Sequence, residues 1–165
     1  MDLANFALQD FQSGRIVDAL TFIGVIIAIW LALRVANMTG ENPESNLITK
    51  IVSSAFGLTV MAGTFQSFGF ASNTWITFAR RLTEIGPENT GDPIGAQAFI
   101  DYVGTTEATG MPTPLGITFC VIITIMILSL IWVPRKEGEN MTEFQIISQF
   151  NSFLISNALY LMVFT

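Results

Sequence analysis

Histidine is absent from all 165 residues, and cysteine occurs once, as Cys120. Without histidine the chain lacks the usual axial ligand of membrane haems, the commonest zinc and copper ligand, and the default general base near neutral pH. A lone thiol cannot close an intrachain disulfide, and in the middle of an apolar run Cys120 reads as a small apolar filler. Charge is scarce as well: charged residues make up 12% of the chain, against about a quarter in an ordinary soluble domain. The seven basic residues are scattered among thirteen acidic ones, for a net charge of -6. Such a chain has no clustered basic patch of the kind a nucleic-acid backbone needs, which argues against a nucleic-acid partner. No G-x-x-x-x-G-K-[ST] phosphate loop and no G-x-S-x-G nucleophile elbow occurs. Glu84 with Glu88, Glu137 with Glu139, and the set Asp92, Asp101 and Glu107 sit in polar connecting sequence. Solvent there keeps carboxylates ordinary, and the spacing matches no calcium loop. The sequence therefore predicts a non-enzymatic protein with no catalytic residue, no cofactor and no metal.

What the chain has in excess is apolar sequence, 51% of its residues. Residues 115–133 run for 19 positions without a charge. At about 1.5 Å per helical residue that approaches the roughly 30 Å of a bilayer's hydrocarbon core. Three further segments qualify as spans: residues 16–35, 51–71 and 144–165. The connectors 37–46 and 134–143 are short and rich in turn residues, so each joins antiparallel neighbours. The expected fold class is an all-α integral membrane protein, a single domain over 1–165 with four transmembrane helices as two antiparallel hairpins. The extramembrane loop 72–112 is the one long excursion.

Short interfacial helices are expected around these spans. Leu3, Phe6, Ala7 and Phe11 recur at helical spacing up to Gly14, and the leading residues lack the basic stretch of a cleavable signal, so the start is expected to be retained. Residues 75–85 place Trp75 with Phe78, Ala79 and Leu82 on one face and Arg80, Arg81 and Glu84 on the other, before Gly86-Pro87. Trp75, Arg80 and Arg81 are candidate interface anchors, and continuation of the preceding span is the competing reading. Asp92-Pro93 marks the start of a helix over 94–103 that Gly104 closes. Asp18 and Arg34 lie at the ends of the first span, where they favour the helix dipole and reach the interface. Arg34, Lys50, Arg135 and Lys136 flank the short turns, and Arg15, Arg80 and Arg81 flank the other side. That balance, four against three, favours the short turns in the cytoplasm.

Two patterns suggest helix contacts. In the second span every fourth residue is small: Ala55, Thr59, Gly63, Ser67 and Ala71, with Ser53 and Gly57 as a second pair. Small residues let helix backbones approach closely in lipid, which makes this segment the expected packing hub. In the last span Gln145, Ser148, Gln149, Ser152 and Ser156 fall on about a third of the helix circumference. This polar stripe must meet other helices or water.

Two tight hairpins, a glycine-containing second helix, basic residues beside both short turns and Asn157 near the end of the C-terminal helix give a layout with a known counterpart. It resembles the small polytopic inner-membrane subunits of type IVB secretion and I-type conjugation systems, which carry a glycine pair where this chain has Ile155 and Ser156. The resemblance implies a structural subunit of a membrane complex in a bacterial inner membrane, with the lipid bilayer and other membrane subunits as partners. A homo-oligomeric pore lined by the polar stripe and an accessory subunit of a membrane enzyme are the other readings.

Overall fold

The computed structural model describes residues 3–134. By its contacts the chain divides into two compact units, Met1–Val133 and Pro134–Thr165; the first is described here. The span at 144–165 and the whole polar stripe lie outside the described residues.

Every regular element among the described residues is helical: α1 (Leu3–Glu41), α2 (Leu47–Ile85), a 3₁₀ turn (Pro87–Asn89), α3 (Pro93–Val103) and α4 (Pro114–Trp132). Helices α1, α2 and α4 are each long and apolar enough to cross a membrane, which makes this an integral membrane protein. In lipid a helix satisfies all its own backbone groups, so apolar sequence without proline continues as helix. Neither α1 nor α2 contains a proline, and both run for 39 residues, through two positions where the sequence pattern suggests a break.

At the first, Gly14 does not end a separate interfacial helix. A Cβ there would sit 3.0 Å from Cγ2 of Thr74, so the missing side chain admits the neighbouring helix. At the second, Asn73 and Thr74 do not cap a new helix, and the competing reading, continuation of the span, is the one found. Asn73 instead accepts the backbone N–H of Gly110 at 3.2 Å, and the Thr74 hydroxyl donates to the Phe70 carbonyl. The first expected connector shrinks likewise, because α1 runs on to Glu41 and Asn46 already caps α2 through the N–H of Thr49 at 2.9 Å. Helix α2 stops at Gly86, whose φ of 83° suits glycine, followed by Pro87. Helix α3 begins as its sequence suggests, with Asp92 accepting from the Gly95 N–H at 3.0 Å, and closes on Gly104 at φ 70°.

The first hairpin is present, with α1 and α2 antiparallel. Asp10 pairs with Arg81, Phe11 stacks on Phe78, and Phe22 meets Phe68 farther along. Helix α4 closes a three-helix bundle whose interior holds Ile29, Ala32, Leu33 and Ala36 of α1, Met61 of α2, and Ile123, Ile127 and Ile131 of α4. Glycines set the spacing. A Cβ at Gly57 would lie 2.6 Å from Cγ2 of Ile127, and one at Gly40 would overlap the Leu130 carbonyl. At the turn end of the hairpin the Trp132 indole N–H donates to the Ser54 hydroxyl at 3.0 Å, while the Lys50 ammonium lies 5.8 Å from the Trp132 ring centre.

At about 1.5 Å per residue α1 and α2 are each near 58 Å long, far beyond the roughly 30 Å of a hydrocarbon core. The polar sequence of the overshoot is at the start of α1 and the end of α2, which the antiparallel pairing brings to one side. There α3 packs back along them. Ala7, Phe78, Leu82 and Ala96 form a second small core, with Phe11, Ile85, Phe99 and Ile100 around it. We call this three-helix extension the collar.

Candidate functional site

The collar is built on aromatic rings. Phe11 and Phe78 stack at 4.4 Å between centroids, Trp75 stacks on Phe99 at 5.6 Å, and Phe99 meets both Phe11 and Phe78 edge to face. Such pairs contribute about 0.5–1.5 kcal/mol each beyond the area they bury. The Arg15 guanidinium lies over the Trp75 ring at 4.8 Å and also reaches Asp18 at 3.4 Å. Trp75 is thus clasped between α1 and α3, with Tyr102 at its edge. Arg80 lies 3.8 Å from Glu84 on the same helix, and Arg81 crosses to Asp10. The three residues expected as interface anchors therefore lie on the continued α2, and each has a partner within the collar.

Beside this core, α1 and α2 leave a groove of about 480 Å³. Its lower end is apolar, with Val17 and Phe70. Its upper part carries Asp10, Ser13, Asn73, Thr77 and Arg81. The groove begins at Val17, beside the start of the expected first span, and rises along the collar.

The face of α2 that packs within the bundle is marked by Ser53, Gly57, Met61 and Thr64, all buried. Of the expected ridge, Ala55, Thr59 and Gly63 are exposed, and a Cβ at Gly63 would touch nothing within 4 Å; Ser67 and Ala71 are half-buried. The geometry explains the split. Residues four apart advance about 400° around the helix, so a row of fourth residues winds by about 40° a step. It starts opposite the bundle at Ala55 and reaches its flank by Ala71. Thr59 donates to the Ala55 carbonyl and Ser67 to that of Gly63, each at 2.9 Å, which leaves no hydroxyl unpaired on this outward row. The second small pair, Ser53 and Gly57, is the one the described bundle uses.

The stripe of Gln145, Ser148, Gln149, Ser152 and Ser156 lies outside the described residues. Among the described residues no three acidic or cysteine side chains are grouped closely enough to hold a metal ion, and Cys120 is buried in α4 against the bundle. The collar and its groove carry no sequence motif. The signal that could reveal them is arithmetic: the pairing of Phe11 with Phe78 and of Asp10 with Arg81 becomes visible once the hairpin is assumed to continue past the bilayer. Compared with protein-family models, with curated proteins and with solved structures, the chain matches none.

Proposed function

We propose that the chain is a non-enzymatic structural subunit of a larger multi-subunit membrane complex. The observation that carries this reading is the apolar surface at the far end of the collar. Ile94 is 85% exposed and Leu3 72%, with Phe6 also open. Ala7 and Ala96 of the collar core lie against Phe78 and Leu82, so these three residues stand near the end of α2, some 15–20 Å past the apolar part of the span. The headgroup layer is about 5–7 Å deep on each side, so acyl chains do not cover them. Apolar side chains held in water at one end of a rigid element mark a protein contact. The outward row of Ala55, Thr59 and Gly63 supplies a second contact surface, within the bilayer, where a helix of another subunit can approach closely. A bacterial secretion or conjugation apparatus of the inner membrane is the first complex to test, on the strength of the sequence layout that resembles the small subunits of those machines.

The test is the size of the particle extracted from native membranes in mild detergent. The full-length chain is expected in a particle far larger than one 18.1 kDa copy and its micelle. Ile94→Asp together with Phe6→Asp is expected to release it as a small particle with unchanged helix content. A wild-type particle already of single-chain size would refute the proposal.

A further inference from the structure

We propose that the groove between α1 and α2 binds one phospholipid with a zwitterionic phosphate–ammonium headgroup, of the phosphatidylethanolamine class. The inference is independent of the subunit reading and needs only that the chain spans a bilayer. The groove, at about 480 Å³, falls within the roughly 300–1,000 Å³ of ordinary small-ligand sites. Its chemistry changes along its length in the order a lipid does. At the bottom, Val17 and Phe70 are both exposed large apolar residues at the edge of their spans, and they lead onto the lipid-facing side of the bundle. At the top stand one cation and one anion, Arg81 and Asp10; Asp10 lies about 9 Å along α1 from the start of the first span at residue 16, nearer the bilayer than Leu3 and Phe6.

These two charges already touch, through Nη1 of Arg81 and Oδ2 of Asp10. That contact holds the pair in place and leaves capacity on both sides. A guanidinium has five N–H donors and a carboxylate two oxygens, so the remaining edge of Arg81 and the second oxygen of Asp10 are uncommitted among the described residues. A phosphate takes the guanidinium edge, the geometry that arginine favours. An ammonium takes the free carboxylate oxygen. An anionic headgroup without an amine satisfies Arg81 but sets negative charge beside Asp10. The hydroxyls of Ser13 and Thr77, which have no partner among the described residues, line the same part of the groove and add donors to the phosphate and glycerol oxygens.

Full-length protein purified in detergent, mixed with equal amounts of phosphatidylethanolamine and phosphatidylglycerol and read by native mass spectrometry, tests the proposal. The wild type is expected to retain phosphatidylethanolamine about tenfold over phosphatidylglycerol. Asp10→Asn with Arg81→Gln, which keeps the groove's shape and removes its charges, is expected to bring that ratio to about one. Thr77→Phe, which fills the groove and leaves the ion pair, is expected to abolish retention, with circular dichroism reporting an unchanged fold. An unselective wild type, or selectivity that survives either variant, overturns the assignment. Soluble glycerophosphoethanolamine competing as well as the intact lipid would overturn the part assigned to Val17 and Phe70.

Discussion

Gly57 and Gly63 are six positions apart on one helix and face different surroundings. The first has Ile127 against its Cα, and the second has open space. Gly57→Leu is therefore expected to destabilise the bundle by about 1–3 kcal/mol, the usual cost of overpacking. Gly63→Leu should leave unfolding in detergent unchanged, with any effect confined to assembly. Steric-trap or denaturant unfolding of the two variants checks the contrast, and equal losses would contradict the packing face described here. Ser53 tests the same face from the polar side. Its Oγ is buried and unpaired among the described residues, and a buried hydroxyl without a partner costs about 1–3 kcal/mol. Ser53→Ala is expected to hold stability or raise it by about 1 kcal/mol, whereas a serine that donates its hydrogen bond would lose stability on the same change.

At the scale of the element, α3 is an eleven-residue helix, too short to persist alone in water. It is held by one face. Ala96, Phe99, Ile100 and Val103 turn toward the collar, while Ile94, Gln97 and Asp101 point away. The Asp92 cap and the left-handed Gly104 define its ends, but the stacking of Phe99 on Trp75 and against Phe11 and Phe78 fixes where it sits. Removing that ring is expected to free the helix and leave the bundle intact. Phe99→Ala should raise amide exchange across residues 93–103 by about tenfold or more, with no change in α4. Protection lost equally in α4 would mean that collar and bundle unfold as one unit. The Arg81–Asp10 pair contributes less to this, since exposed ion pairs typically give under about 1 kcal/mol.

For the whole molecule, the antiparallel hairpin and the position of α4 put the 42–46 turn on one side of the membrane and the collar on the other. Single-cysteine variants Asn42→Cys and Thr90→Cys, each with Cys120→Ala, are expected to react with a membrane-impermeant thiol reagent from opposite sides. Reaction from the same side would exclude the three-span arrangement of residues 3–134. Cys120 lies in the core of the bundle, so its removal changes little outside it.

The sequence by itself determined the membrane class, the three spans within residues 3–134, the caps of α3 and the stops at Gly86 and Gly104. These features follow from local chemistry: run length against bilayer thickness, side chains that bond the nearest backbone N–H groups, and backbone angles that glycine adopts freely. Tertiary structure decided which small residues of α2 face the bundle, because a row of fourth residues winds around the helix and only the position of α4 picks the side. It also decided that α1 and α2 continue past Gly14 and Asn73. Those residues read locally as breaks, yet each meets a partner far along the chain, Thr74 for Gly14 and Gly110 for Asn73, and contacts of that range have no signature in a window of neighbouring residues.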